Sequence, residues 1–283
     1  MDLCKYIKYN NISLRELSKK ADIPYTTLFD LYSGKRNIKL SNAFTVYKLS
    51  KVMGINMEDL IMDNTKFDNK YTLSQKESLF LLKKRWDKSI YTGMKMENRP
   101  ITFPETKAIL EGVNIPNISL SDITAILNMR DAYKFIENHL YEKLDLEYIL
   151  KINSYVSRNE SLEWGVLRTG NVGIGGTDYI PEIPKKEKVE GEINRILCMP
   201  VPDTEIALEL FAYLTRTQLF WDGNKRTALV VCNKFLISTG HGFIDIADKN
   251  ILEFNKRLLN YYNTNDSTNL LDFLYKDCII GID

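Results

Sequence analysis

The most constraining feature of the sequence is a short polar loop between two apolar helical segments. Residues 228–237 after the loop are mostly apolar, and apolar side chains before it recur at the spacing of one helix face. These preceding residues are Ile206, Ala207, Leu210, Phe211 and Leu214. Such spacing predicts two buried helices joined by the tight loop 218–227, Gln-Leu-Phe-Trp-Asp-Gly-Asn-Lys-Arg-Thr, which we call the motif loop.

The motif loop has the residue types that bind a polyphosphate. The backbone at Gly223 and Asn224 would present amide groups at a helix N-terminus, which attracts anions. Lys225 and Arg226 add positive charge, and Asp222 supplies a carboxylate of the kind that holds Mg²⁺ against phosphates. A carboxylate, free amides and an arginine together favour binding of a magnesium-complexed nucleotide.

Charge is unevenly distributed along the 283 residues. The whole chain has 38 Lys and Arg against 37 Asp and Glu, so its net charge is +1. Residues 1–62 have ten basic and six acidic residues, so this region carries +4 and the remainder −3. With 44% hydrophobic and 27% charged residues, the composition is that of an ordinary soluble globular protein.

The sequence predicts a cytoplasmic protein without a membrane partner. Its longest apolar stretch, around 227–237, is interrupted by Asn233 and Lys234 and is shorter than the roughly 20 residues that span a bilayer. The N-terminus lacks the apolar core of a secretion signal. Four widely separated cysteines without a Cys-x-x-Cys pair indicate reduced thiols, not a disulfide framework or a zinc site.

Residues 1–63 are predicted to form a separate small helical domain, followed by a polar linker at 63–72. Ser13 and Glu16 have the spacing of a capping box, which starts one helix. A second helix is predicted at 25–32, and Gly34 suits the left-handed position that ends it. Two short helices with a tight connection, the second with a polar face, are a helix-turn-helix pattern.

The segment 14–34 resembles the phage-repressor (Xre) family of helix-turn-helix domains. The resemblance implies that helix 25–32 enters the major groove of DNA and that basic residues after it meet phosphates. The candidate DNA-binding residues are Tyr25, Thr26, Thr27, Lys35 and Arg36. Two acidic residues, at 22 and 30, reduce the positive charge of this face, so a helical bundle used only for protein contacts stays open as an alternative.

The motif loop resembles the core motif of the Fic/Doc (Fido) family, H-x-F-x-[D/E]-G-N-[G/K]-R. Phe220 and residues 222–226 fall in register, and Lys225 is typical of the Doc branch. The resemblance covers about 71–280 and implies a Fic domain at 73–283, all-α with a β-hairpin flap. It implies Mg²⁺ and ATP, or another nucleotide, as cofactors, and transfer of AMP or, in Doc-type members, of the terminal phosphate.

The resemblance also assigns roles to residues. Asp222 would hold the metal, Gly223 to Thr227 the nucleotide, and Arg226 the outer phosphates. The glycine-rich segment 165–184, here called the flap segment, resembles the flap that docks the target protein. Its candidate docking residues are Gly173, Ile174, Gly175, Gly176, Thr177 and Tyr179. Glu97 and Asn98 resemble the end of the family's inhibitory helix.

Two motif positions depart from the family pattern. Gln218 replaces the histidine that takes a proton from the target hydroxyl, and an amide cannot act as a general base. Such a base is worth about 10²–10⁴ in rate, so reduced activity is expected. Leu229 replaces the second arginine, the usual partner of the inhibitory glutamate, so Glu97 lacks that partner. His139 and His241 are not expected to replace the missing base.

Three functions therefore remain open. The chain is a slow AMP transferase or Doc-like kinase, with Gln218, Asp222 and Arg226 at its catalytic positions and a protein Ser, Thr or Tyr hydroxyl as acceptor. Alternatively, it is a catalytically inactive regulator that senses nucleotide and binds DNA. The third interpretation is an antitoxin-like regulator that uses the Fic fold only for interactions, and a homodimer is compatible with each.

Overall fold

The computed structural model of the protein describes residues 3–61 and 65–282, and its regular structure is almost entirely helical, which confirms the all-α class. The α-helices, in chain order, are α1 Leu3–Asn10, α2 Leu14–Ala21, α3 Tyr25–Tyr32, α4 Ala43–Met53, α5 Met57–Ile61, α6 Gln75–Met96, α7 Phe103–Leu110, α8 Leu120–Asn138, α9 Leu146–Val156, α10 Lys186–Leu197, α11 Asp203–Thr217, α12 Asn224–Thr239, α13 Asp248–Thr264 and α14 Thr268–Phe273. A 3₁₀ turn covers Ile38–Leu40, and a π-helical turn covers Leu274–Cys278.

Local caps define the N-terminal helices. The capping box is present, since the Ser13 hydroxyl accepts the Glu16 amide hydrogen and the Glu16 carboxylate accepts that of Ser13. Helix α3 has the bounds expected from the sequence, and Gly34 after it has a positive φ of 73°. Helix α4 begins at Ala43 because the Asn42 side chain caps it, with Oδ1 accepting the Thr45 amide hydrogen at 2.7 Å.

The buried apolar residues form two separate clusters, one within 3–60 and one within 67–279. The segment between them was expected to be a polar linker starting at residue 63. Residues 62–64, including the predicted domain boundary at 63, lie outside the described residues. From 65 onward the segment packs on the second cluster: Phe67 is buried, and the Lys66 and Phe67 amides donate to Glu205 Oε2 at 2.7 and 2.9 Å.

Helix α12 is the central element of the second cluster. It packs against α11, α6, α9 and α8, and residues 228–232 are fully buried. A helix that is apolar on all sides is expected at the centre of a helical domain. This arrangement places the motif loop at the N-terminal end of the most enclosed helix. None of the helices within 3–61 and 65–282 is long and apolar enough to cross a membrane.

The flap segment differs from the expected hairpin. It turns at Gly175–Gly176, but neither of its arms forms a strand within 165–184. The described strands lie elsewhere, in an antiparallel pair formed by β1 Phe243–Ile244 and β2 Ile279–Ile280. The flap's base carbonyls at residues 170, 181 and 182 bind a guanidinium, and its glycines offer no cross-strand side-chain pairs.

Candidate functional site

The motif loop is fixed internally by Asn224, the first residue of α12. Its side-chain Oδ1 accepts the Phe220 amide hydrogen, and its Nδ2 donates to the Phe220 carbonyl, both at 2.9 Å. Gly223 immediately before it has φ +69°, and no side chain caps the first turn of α12. The asparagine side chain therefore acts as a brace, while the amide groups of the first turn have no capping acceptor.

Helix α9 and the residue after it support the same loop from below through two buried polar residues. Asn153 Nδ2 donates to the Asp222 carbonyl at 3.3 Å and to Thr227 Oγ1 at 3.1 Å, and Ser157 Oγ donates to the Asp222 carbonyl at 2.9 Å. Asn153 Oδ1 also accepts the Gly165 amide hydrogen at 2.9 Å. The sequence interpretation missed both residues. Their one signal is a pair of polar residues, four positions apart, on an otherwise apolar helix face.

Asp222 is the predicted metal ligand, and its side chain is 44% exposed. Its Oδ1 accepts the Gly223 amide hydrogen at 2.6 Å, and its Oδ2 lies 3.7 Å from Arg226 Nη2. Among the described residues no group of three or more acidic, His or Cys side chains could hold a metal. A single exposed carboxylate fits Mg²⁺, which takes its remaining ligands from phosphates and water.

The positively charged residues of the motif loop have different surroundings. Lys225 is 23% exposed, and its Nζ donates to the Met96 carbonyl at 2.6 Å and lies 3.1 Å from Glu97 Oε2. Arg226 is only 1% exposed, and its Nη1 donates to Glu160 Oε1 at 2.9 Å and to the Val156 carbonyl at 3.1 Å. Lys225 and the first-turn amides are therefore the groups that fit an incoming phosphate.

Burial alone would lower the pKa of Arg226, but the carboxylates of Glu160, Glu97 and Asp222 together outweigh it, so the pKa is raised and the guanidinium stays charged. Its Nε is buried and has no hydrogen-bond partner within the protein. Thr227 is also buried, and its hydroxyl accepts a hydrogen bond from Asn153. The structure therefore places Arg226 and Thr227 under the loop surface, not on it.

Gln218 ends α11 in the left-handed conformation, with φ 47° and ψ 62°. Its side-chain Nε2 donates to the Thr215 carbonyl at 2.6 Å, so the amide caps its own helix. His241 lies beyond the opposite end of α12, a 16-residue helix about 24 Å long. His139 ends α8 and contacts Glu142 Oε1 at 2.7 Å. His241 in particular is placed, as expected, far from the loop.

Arg168 joins the flap segment to the motif loop, and the sequence interpretation missed it. The side chain is 1% exposed. Its Nε donates to the Gln218 carbonyl at 2.6 Å, and its two terminal nitrogens donate to the carbonyls of Gly170, Pro181 and Glu182. Burial lowers the pKa of Arg168, and the carbonyl groups around it supply the compensating hydrogen bonds.

The outer part of the flap segment rests on α13 and the end of α11. Gly176 approaches Leu259, and the Thr177 hydroxyl donates to Asn263. Tyr179 lies under Arg216, with the guanidinium carbon 3.7 Å from the ring centre. Ile174 packs on the core, while Gly173 and Gly175 border open space. Of the predicted docking residues, these two glycines have the most room beside them.

Glu97 is the C-cap residue of α6, and its carboxylate forms an ion pair with a residue other than the second arginine that the family motif would supply. It pairs with Lys225, while Leu229 at the arginine position is fully buried. Asn98, with a positive φ of 56°, accepts a hydrogen bond from Asn255. Gly93 leaves room for the Met129 side chain of α8, since a Cβ there would lie 2.9 Å from Met129 Cε, whereas its distance of 3.5 Å from Arg226 Cγ would be an ordinary contact.

The predicted DNA-binding residues lie together on α3 and just after it, within the N-terminal cluster. Tyr25, Thr26, Lys35 and Arg36 are exposed, and Thr27 is half-buried. Helix α3 also exposes Phe29, whose ring stacks with Tyr25 at a centroid distance of 6.1 Å. No contact links these residues to the motif loop in the described parts of the chain.

Residues 143–236 match the sequence model of the Fic/DOC family, a region that runs from just before α9 into the second half of α12. This confirms the Fic resemblance for that region, while the helix-turn-helix resemblance stays a prediction. No curated protein matches the chain.

The chain is similar in structure to several Fic proteins. With a fragment of Fic-1 from C. elegans it shares 17% identity at a TM-score of 0.57, over 93% of this chain and 80% of that one. A Fic family protein from Desulfovibrio desulfuricans G20 gives 14% identity and a TM-score of 0.57, over 74% and 73%. A Fic domain containing signaling protein from Bacteroides thetaiotaomicron VPI-5482 gives 18% identity and a TM-score of 0.58, over 71% of this chain and 84% of that one. At such identities the likeness establishes the fold.

Proposed function

We propose that this protein binds a magnesium-complexed nucleotide at the motif loop. The observation that carries the proposal is the first turn of α12, where amides without a capping side chain lie beside Lys225 and Asp222. A helix N-terminus combined with a lysine favours phosphate, and the carboxylate favours the accompanying Mg²⁺. When bound, Mg²⁺ would neutralise phosphate charge, and Asp222 is the residue that would hold it.

The protein's own residues prepare the site before any ligand arrives. Asn224 and Asn153 hold the loop backbone at Phe220 and Asp222, so the amides need little reorganisation on binding. Arg168 fixes the base of the flap segment against Gln218, which keeps the acceptor side of the site next to the loop. This pre-organisation supports binding in both the transferase and the sensing interpretations.

Calorimetry with Mg-ATP tests the binding proposal. We expect Lys225→Met to weaken binding at least about tenfold, since a charge-assisted contact is worth roughly 1.5–3 kcal/mol. Lys186→Met is the matched control, because Lys186 also pairs with a carboxylate, Glu147, but lies on α10. Absence of nucleotide binding by wild type would remove both the transferase and the sensing interpretation. Arg226→Ala is a poor probe because it would leave the buried Glu160 carboxylate without one of its two arginine partners.

For the transferase interpretation, the informative variant is Gln218→His. Histidine tolerates the left-handed backbone at this position better than most residues, and it supplies a titratable nitrogen. We expect about 10²–10⁴ more transfer of labelled phosphate to protein. Parallel labels on the α- and γ-phosphates distinguish AMP transfer from phosphate transfer. Efficient labelling by wild type without improvement in the variant would contradict the role given to residue 218.

We propose DNA binding as a second function, located in the N-terminal domain. The supporting observation is that the five predicted contact residues share one helix and its exit, where Lys35 and Arg36 are exposed. Gel shifts with the chain's own upstream DNA test it. Lys35→Ala should reduce the slope of log affinity against log salt by about one, whereas Lys249→Ala on α13 should not. No shift at low salt would leave only the protein-contact interpretation.

A further inference from the structure

Three ion pairs, arranged in two routes, connect the residues just after α6 to the first turn of α12. In the outer pair, Lys225 Nζ lies 3.1 Å from Glu97 Oε2. In the inner arrangement, Glu160 lies between two arginines: its Oε2 is 2.7 Å from Arg99 Nη2, and its Oε1 is 2.9 Å from Arg226 Nη1. Residues 97 and 99 thus reach residues 225 and 226 by two parallel routes.

The two routes differ in how deeply their side chains are buried and in how many hydrogen bonds their carboxylates accept. Arg226 and Glu160 are 1% and 5% exposed, whereas Lys225 and Glu97 are 23% and 21% exposed. Glu160 Oε1 also accepts a hydrogen bond from Asn128 Nδ2 at 2.9 Å. The inner route is therefore a buried network in which both oxygens of the Glu160 carboxylate are engaged, while the outer route is a pair that solvent reaches.

This difference decides which cation a phosphate can take. Displacing Glu97 from Lys225 returns a carboxylate to water, and partly exposed ion pairs are worth little. Displacing Glu160 from Arg226 would leave a buried carboxylate without half of its partners, which is strongly unfavourable. An incoming anion therefore exchanges with Glu97 and leaves the Glu160–Arg226 pair in place.

Building on the proposed nucleotide site, we propose that Glu160 is a positioning residue that withholds Arg226 from the phosphates and makes Lys225 the cation that contacts them. Glu160 holds the Arg226 guanidinium beside the Val156 carbonyl, under the loop. There Arg226 Nη2 lies 3.7 Å from Asp222 Oδ2, within ion-pair distance, and the guanidinium does not protrude toward the ligand. Recognition then relies on a lysine point charge and backbone amides, without a planar guanidinium fork.

A double-mutant cycle with inorganic pyrophosphate as the probe tests which cation makes the contact. Glu97→Gln should tighten pyrophosphate binding about three- to tenfold, because Lys225 loses its competing carboxylate. In the Lys225→Met background the same substitution should have a much smaller effect, limited to the weaker repulsion that Glu97 itself exerts on the anion. If Glu97→Gln tightens binding equally in both backgrounds, another cation makes the contact and the proposal is overturned. These four proteins change only partly exposed side chains, so their folding is not at risk.

Glu160→Gln tests the positioning role itself. We expect its melting temperature to fall while its affinity for pyrophosphate rises about three- to tenfold, since two arginines lose their counter-charge. A purely structural role would lower both, and that result would overturn the proposal. If this variant does not fold, the double-mutant cycle decides alone.

The same titrations separate this inference from the proposed function. Pyrophosphate binding with the predicted cycle, but no binding of Mg-ATP, would reject the nucleotide proposal and support the roles of Glu160 and Lys225. Absence of pyrophosphate binding by every variant would overturn the inference. Binding of both ligands with the predicted cycle would support the two together.

Discussion

Gly223→Ala adds one methyl group at the point where the motif loop enters α12. The backbone there has φ +69°, where a side chain costs about 1–2 kcal/mol. The new Cβ would also meet the Ser157 hydroxyl and lie 3.0 Å from Val156 Cγ1. Moving Ser157 away would break its 2.9 Å hydrogen bond to the Asp222 carbonyl, which costs about 1 kcal/mol more. We therefore expect the free energy of unfolding to fall by about 2–3 kcal/mol.

Two glycines serve as matched controls in chemical denaturation. Gly112 has φ +84° with no atom near the position of a Cβ, so Gly112→Ala should cost only the conformational part, about 1–2 kcal/mol. Gly173 has neither a positive φ nor a close neighbour, so Gly173→Ala should change stability by less than about 0.5 kcal/mol. Equal losses for Gly223→Ala and Gly112→Ala would refute the steric part of the reasoning. Adding Ser157→Ala to Gly223→Ala should be less than additive.

Four further predictions each concern one side chain. Asn153→Ala should lower the free energy of unfolding by about 2–3 kcal/mol, because the Asp222 carbonyl, the Thr227 hydroxyl and the Gly165 amide lose a hydrogen-bond partner. Chemical denaturation, with Ser154→Ala as the control, measures this loss. Arg168→Lys should speed proteolysis within 171–180, because one ammonium cannot reach four carbonyls. Burial lowers the pKa of Lys234 from 10.5 to about 8, so the unfolded chain binds more protons between these values. The free energy of unfolding of wild type, relative to that of Lys234→Met, should therefore rise with pH across that window. If the difference between the two proteins does not change with pH, the prediction is contradicted. The exposed Phe29 on α3 could contact thymine methyl groups in DNA. In that case, replacing thymidine by deoxyuridine in the DNA should weaken binding by wild type more than it weakens binding by Phe29→Ala.

The parts of the fold that could be predicted from the sequence are those fixed by neighbouring residues. The capping box at Ser13 and Glu16, the limits of α3 and the helix–loop–helix around the motif loop depend on contacts within a few positions. The exact start of α4 is less predictable, because two consecutive polar residues could each cap it and Asn42 is the one that does.

The supports of the site could not be predicted, because their partners are distant in the chain. Glu160 contacts Arg226 across 66 positions, and Asn153 contacts Asp222 across 69. A polar residue in an apolar pattern signals that some partner exists, but not which one. The flap segment shows the same limit. Its glycines predicted a hairpin, yet its base carbonyls bind Arg168, which leaves them unavailable for a strand ladder.

Binding and chemistry are separable in this site because different residues support them. The loop amides are held by Asn224 and Asn153, whose side chains hydrogen-bond to residues other than 218. The Gln218 backbone carbonyl accepts a hydrogen bond from Arg168, and its side-chain amide donates one to the Thr215 carbonyl at the end of α11. A different side chain at position 218 would therefore leave the loop amides in place. A protein used only as an interaction body would gain nothing from an uncapped helix N-terminus beside a lysine and a carboxylate. These contacts support the proposed nucleotide site, in which residue 218 would govern only what happens after binding.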